Sequence, residues 1–327
     1  MQKLLKAVLR CALTKTNREA LWEAKRMDVL DCIVIGGGPA GLSASLTLGR
    51  ARRSIALFDD GTNRNRVTQA SHGFITRDGI KPQEFKEMAL KELANYSTIS
   101  YINETITDVR KEFGNKQFMV ITGDGREYVA EKLVLATGIQ EEFSIPSVRD
   151  YYGKSLFSCP YCDGWEQRDK ALVVIAEKEE HAQHLAQMIY NWSRDLVVLT
   201  NGGLLSKSVR TELEKRNIKV KTEPITKLIG NDGYLEKIQL ATGETIERSG
   251  GFVAPSYYRP NQFAEKLGCK FHENGEIITD GVGRTTEKNV YIAGEVEKSK
   301  PNSLLISAAK GNKAAVAVNT DLTMERF

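Results

Sequence analysis

The sequence predicts an α/β protein built on two Rossmann-like dinucleotide-binding units. Three observations point there. The apolar run ending at Ile35 leads into Gly36, Gly38 and Gly41 at G-x-G-x-x-G spacing, followed by a helical pattern and a second apolar run. The same strand–helix–strand layout returns after residue 170 without its glycines. Further strand-like runs end in small residues at Gly138 and Gly294.

The chain opens with a basic segment. Residues 1–26 carry seven Lys/Arg against two Glu, so the net charge of +4 collects there and the remainder sits near −1. A nucleic-acid partner requires a basic stripe on the folded body, so none is expected. Leu4, Leu5, Val8, Leu9 and Ala12 recur at helical spacing, but Lys6 and Arg10 interrupt the apolar stretch. That disfavours a secretory signal. It leaves a basic amphipathic helix touching a membrane or partner, or a dispensable extension ahead of Met27. No run approaches the roughly 18 apolar residues of a membrane span, so stable insertion is not expected. Five scattered cysteines do not make a secreted disulfide framework, and a cytoplasmic location is expected.

In the first unit each glycine has a task. Gly36 permits the tight turn, Gly38 lets a pyrophosphate approach the backbone, and Gly41 lets the helix pack close to the strand. The helix N-terminus then faces the anion with free N–H groups. The second strand, from Ser54 to Phe58, ends at Asp59, placed to accept hydrogen bonds from a ribose.

Cys159-Pro-Tyr-Cys162, followed by Asp163 and Gly164, carries the chemistry. Two cysteines three apart can close a small ring and reopen it, and their mutual field brings one thiol towards the reactive range. A zinc site needs four ligands, usually two such pairs. Here the other cysteines are single, and His181 and His184 fall in a different pattern, so no metal is expected. A purely structural pair is disfavoured, because so short a loop stabilises little.

The order G-x-G-x-x-G, Ala136-Thr137-Gly138, C-x-x-C, Ala293-Gly294-Glu295, then Ala308-Ala-Lys-Gly311-Asn-Lys-Ala-Ala315, resembles the low-molecular-weight thioredoxin reductases and their relatives. The likeness runs from about residue 28 to residue 319. It implies FAD on the first nucleotide turn, with Thr137, Gly138, Gly294, Glu295 and Gly311 among its contacts. In that family the acid after Ala-Gly is usually Asp, and Glu295 is one methylene longer. The resemblance also implies Cys162 against the flavin, Cys159 as the interchange thiol and Asp163 as the nearby acid/base. It implies a homodimer and a discontinuous FAD domain, 28–143 and 251–327, bracketing a cysteine-bearing domain at 144–250.

In the reductases that second domain binds NADPH. Aligning the repeat here puts Ala176, Lys178 and His181 where Gly36, Gly38 and Gly41 stand, with Glu177, Glu179 and Glu180 alongside. Side chains and negative charge then occupy the place of a pyrophosphate, and Thr200-Asn-Gly-Gly203 replaces the basic cluster expected for a 2′-phosphate. This argues against ordinary NADPH binding, although Lys178 and free amides leave a weak hold open. The gliotoxin- and holomycin-type dithiol oxidases share the layout and an eroded nicotinamide site, but usually carry His where Asp163 stands. The expected activity is therefore FAD-dependent thiol/disulfide exchange, leaning towards oxidation of a small-molecule dithiol with a non-nicotinamide acceptor such as O2. An NADPH-dependent reductase of a thioredoxin-like protein and a non-catalytic flavin-binding redox sensor are the alternatives. Tyr161, Trp165, Tyr257 and Tyr258 are candidate walls for an apolar substrate, or simply packing.

Overall fold

The strand Leu30–Ile35 lies at the centre of the larger sheet, with Ile55–Phe58 and then Ile99–Ile102 on one side, all parallel. This is a computed structural model, and it describes residues 29–112, 116–297 and 303–327. The basic N-terminal segment and its helical spacing lie outside the described residues.

On the other side of the central strand runs Glu127–Leu135. Its first half pairs antiparallel with Gln117–Thr122, and its last three residues pair parallel with Val290–Ile292. One long strand thus joins an antiparallel meander to the parallel core and draws the C-terminal part of the chain into the same sheet. Successive residues of the central strand point to opposite faces, and both faces are covered. Ile33 and Ile35 enter one apolar cluster with Phe58, Val120 and Leu133, while Cys32 and Val34 enter another with Leu57, Leu48 and Val318. That double burial is why the strand reads as a continuous apolar run.

The second sheet repeats the plan. Leu172–Ile175 is flanked by Leu196–Leu199 and Lys219–Lys221 on one side, and by Gly250–Val253 and Leu156–Phe157 on the other, all parallel. A separate antiparallel meander, Ile225–Asn231, Tyr234–Leu240 and Thr245–Glu247, packs beside it. The short pair Gln140–Glu142 and Ser256–Tyr258 runs between the two main sheets in the chain order, with Tyr257 opposite Glu141.

The sequence pattern predicts a first helix running to about Arg52 and a second-repeat helix over 179–192, and both end slightly earlier. The helix after the glycine turn is Pro39–Arg50, ending before Arg52, which takes a left-handed φ of 60°. The helix of the second repeat, Glu179–Ile189, stops short of Trp192. The small-residue stretch around Gly311 belongs to a much longer helix, Leu304–Arg326, capped by the Ser303 hydroxyl, which accepts the Ile306 N–H at 3.1 Å. This last helix lies against Pro39–Arg50 at backbone distance, because a side chain on Gly311 would sit 2.0 Å from the Ala40 carbonyl oxygen.

Candidate active site

The carboxyl ends of the central strands open onto a cavity of about 380 Å³. Its floor is the glycine turn. Gly36 has φ of +113°, and a Cβ there would lie 2.3 Å from the Ala136 carbonyl oxygen. Gly41 is buried in the helix, where a Cβ would lie 1.8 Å from the Gly36 oxygen. A Cβ on Gly38 would meet nothing within 4 Å, so of the three motif glycines it is the one open to a ligand. Gly38 is the N-cap of Pro39–Arg50 and no side chain caps the helix. Its first N–H groups therefore face the cavity without intrahelical partners, a cradle suited to a pyrophosphate.

Of the remaining expected cofactor contacts, Asp59, Thr137, Gly138, Gly294 and Glu295 line the same cavity, whereas Gly41 and Gly311 serve it from behind by packing. Asp59 is buried at the end of its strand. It accepts the Gly61 N–H at 3.0 Å and the Tyr101 hydroxyl at 3.1 Å, and it pairs with Lys86. Gly37 had no expected role, yet a Cβ there would lie 2.2 Å from the Asp59 carboxyl carbon, so the middle glycine of the run makes room for the acid. The residues fit FAD: an open anion cradle, a buried acid beyond it, and the N-terminal turn of the last helix, with Ser303, Leu304 and Ser307, on the cavity wall.

Glu295 is not free. Its carboxylate is held by Arg64, whose Nη1 also reaches Glu141 Oε1 at 2.8 Å. Burial opposes the Arg64 charge, but Glu295 and then Glu141 more than compensate and hold the guanidinium firmly protonated. Glu141 accepts the Tyr152 hydroxyl at 2.9 Å, and Tyr152 lies 2.7 Å from the Ser158 hydroxyl. The Tyr257 hydroxyl also meets Ser158, and burial raises the pKa of both tyrosines. Sequence reasoning missed Arg64, Glu141, Tyr152 and Ser158. Their only sequence signal was position, Glu141 three residues past Gly138 and Ser158 just before Cys159.

Cys159 and Cys162 form a disulfide with their Cα atoms 5.3 Å apart, and both line the cavity with Asp163. Cys159 is the N-cap of a single helical turn, Pro160–Asp163, and Cys162 lies within it. A side chain on Gly164 would strike the Pro160 carbonyl and Trp192, which accounts for the glycine after Asp163. Burial, and secondarily Glu166, pushes the Asp163 carboxyl up to about 7. Tyr161 and Trp165 are exposed, Trp165 under the Arg168 guanidinium and Tyr161 edge-on to Trp192, and neither lines the cavity.

At the second repeat, Lys178 is the N-cap of Glu179–Ile189 and two glutamates fill its first turn. Glu177 accepts from Asn201 Nδ2 at 2.7 Å, and Glu179 accepts the Ser206 N–H. The carboxylates therefore take up donors at the turn that aligns with residues 36–41 of the first unit. Acids at a helix N-terminus offset its dipole, as an anion would.

A glycine-lined nucleotide turn opening onto a reversible cysteine pair defines a disulfide oxidoreductase. The family model for pyridine nucleotide-disulphide oxidoreductases matches residues 30–311, and the chain belongs to that flavin-dependent family. A Bacillus anthracis structure provisionally named thioredoxin reductase TrxB is 56% identical, with a TM-score of 0.89 over 91% of this chain and 100% of that one. The structure of HlmI is 32% identical, with a TM-score of 0.86 over 91% of this chain and 94% of that one. The Aspergillus oryzae thioredoxin reductase aclD is 27% identical over 91% of this chain and 98% of its own length. The chain is thus a thioredoxin-reductase-like FAD oxidoreductase. Among the described residues no helix is long and apolar enough to cross a membrane.

Proposed function

We propose that this enzyme oxidises a small-molecule dithiol through Cys159 and Cys162, with an acceptor other than a nicotinamide nucleotide, such as O2. The observation that carries the reading is the second nucleotide turn, where the Glu177 and Glu179 carboxylates engage Asn201 and the Ser206 amide. A nicotinamide dinucleotide would have to bring its phosphates against those carboxylates.

In this proposal Gly36, Gly38 and Gly41 hold the FAD pyrophosphate, Asp59 the ribose, and Thr137, Gly138, Gly294, Glu295 and Gly311 complete its seat. FAD bound there would take up, or return, the two electrons that open or close the sulfur bridge. Cys159 exchanges with the substrate, Cys162 faces the flavin, and Asp163 handles the proton of the departing sulfur. A carboxyl held at about 7 can both give and take a proton near neutrality. Domain limits of 28–143 with 251–327, and 144–250, belong to the same proposal, supported by the pairing of Val290–Ile292 beside Leu133–Leu135. So does a homodimer, on the family resemblance, and a cytoplasmic location.

One observation favours a second reading, an NADPH-dependent reductase of a thioredoxin-like protein. Asp163 follows Cys162 as it does in the reductases, and relatives carry that name. An anaerobic titration separates the two. Bleaching of the flavin by a dithiol, reversed by air, with no response to NADPH, is the expected result. Fast bleaching by NADPH would retire the oxidase reading.

A further inference from the structure

The loop at 71–80 carries a histidine into the cavity that holds the cysteine pair. His72 lines that cavity together with Cys159, Cys162 and Asp163. The loop is a closed structure: the Ser71 N–H donates to the Ile80 carbonyl at 2.7 Å, and the Gly79 N–H returns to the Ser71 carbonyl at 3.0 Å. Asp78 fastens it from inside, accepting the Gly73 N–H at 2.8 Å, and the same Asp78 oxygen lies 3.5 Å from His72 Nδ1. On the other side of the imidazole, Nε2 lies 3.6 Å from Glu166 Oε1. Glu166 belongs to the segment just after Cys162, and its charge also bears on Asp163. The imidazole therefore spans two carboxylates, one from its own loop and one from the cysteine-bearing segment. These are ion-pair separations available to the protonated ring, longer than a hydrogen bond.

Thiol–disulfide exchange gives such a ring a task. A dithiol entering the site must lose two protons while the cysteine pair gains two, and the thiolate is the attacking form. Asp163 serves the sulfur leaving from Cys162. A second acid/base is needed on the substrate's side, and imidazole is the side chain that exchanges a proton most readily between pH 5 and 8.

We propose that His72 is the catalytic acid/base for the substrate thiol, acting in the same cavity as Asp163, with Asp78 and Glu166 as positioning residues. In the first step the substrate thiol gives its proton to His72 as its sulfur bonds to Cys159 Sγ. The Cys159–Cys162 bond breaks, and Cys162 leaves with the electron pair and takes a proton from Asp163. The second thiol of the same molecule then gives its proton to Asp163, now a carboxylate, and attacks the substrate sulfur bonded to Cys159. The substrate departs as a disulfide, Cys159 leaves as a thiolate that takes back the proton held by His72, and the pair has gained the two electrons and two protons the substrate lost. The steps run backwards for a disulfide substrate. The proposal rests on Cys159 as the interchange sulfur, but not on the direction of flow or the final acceptor.

The test is rapid mixing of the oxidised holoenzyme with dithiothreitol under anaerobic conditions over a range of pH. The reaction is quenched with an alkylating agent and the labelled Cys159 and Cys162 are counted by mass spectrometry. His72→Gln is expected to slow cysteine labelling by about 100-fold, the lower end of what a positioned acid/base contributes. It should also remove one ionisation from the pH profile. Opening of the same disulfide by a trialkylphosphine, which has no thiol proton to lose, should keep its wild-type rate. Glu166→Gln retains the ring but loses one of the two carboxylates beside it, and should slow exchange less than His72→Gln does. The proposal is overturned if His72→Gln keeps the wild-type dithiol rate and pH profile, or if the phosphine reaction slows as much as the dithiol reaction. Flavin bleaching by NADPH in the earlier titration would reverse the favoured direction and leave this result readable.

Discussion

Arg64 grips Glu295 with both arms of its guanidinium, Nε donating to Oε2 at 3.1 Å and Nη2 to Oε1 at 2.7 Å. Planar two-point pairing of this kind is specific to arginine. It gives a reason for the longer acid at 295: the extra methylene lets the carboxylate meet a partner that itself continues to Glu141, Tyr152 and Ser158. The glycine-turn half of the chain is thereby tied to the residue just before Cys159.

Removing that arginine leaves the buried Glu141 and the mostly buried Glu295 carboxylates without their shared counter-charge. Arg64→Met should cost about 3 kcal/mol, the lower end for breaking a buried pair, since the side chain keeps some contact with water. Arg64→Lys retains the charge but loses the fork, and should cost less than half as much. Denaturant unfolding at neutral pH measures both. Equal losses for Met and Lys would mean that geometry, and not charge, governs the cluster.

Two glycines near the nucleotide turn should behave in opposite ways. Gly38 has open space where a Cβ would stand and an ordinary negative φ of −74°, so Gly38→Ala should fold with stability changed by less than about 0.5 kcal/mol. The added methyl stands in the anion cradle, and the purified protein should retain less flavin. Gly311→Ala drives a methyl into the Ala40 carbonyl and should destabilise by about 1–3 kcal/mol through overpacking. Absorbance at the flavin band, compared with thermal unfolding, distinguishes them. A fully yellow Gly38→Ala protein would argue against phosphate contact at that turn.

Much of this arrangement was legible because backbone geometry writes itself into residue type. A left-handed φ at Gly36 and carbonyl contact at Gly41 tolerate only glycine, and a strand buried on both faces has to be apolar throughout. The helix at Leu304–Arg326 was legible only near Gly311, where two helices approach closely. Its flanking turns lack such a constraint. The Arg64, Glu141, Tyr152 and Ser158 chain was invisible for a different reason. Each of these residue types is ordinary on a surface, and what makes them a site is burial and long-range pairing across 77 positions from Arg64 to Glu141. His72 escaped notice likewise, because its carboxylate neighbour Glu166 comes from far along the chain.

Asp163 gives the fold a distinct pH signature. Burial first, then Glu166, raises its carboxyl from 3.8 to about 7, so the folded chain binds this proton more tightly than the unfolded chain does. Its contribution to stability is therefore whole below the ordinary carboxyl value and is lost as pH rises through about 7, where the folded state must carry a charge in a half-buried place. Other carboxylates with lowered values, such as Asp321 beside Arg284, act in the opposite sense at more acid pH. Comparison with Asp163→Asn isolates the one group. The wild type should lose stability relative to the Asn variant between about pH 4 and pH 7, and the difference should be flat above about pH 8. Glu166→Gln should narrow that window by lowering its upper edge, since the neighbouring negative charge is one of the two causes of the shift. Unfolding midpoints taken at several pH values are the measurement. Parallel curves for wild type and Asp163→Asn would mean that this carboxyl titrates like one in water, and its service as a proton carrier for the Cys162 sulfur would lose its physical basis.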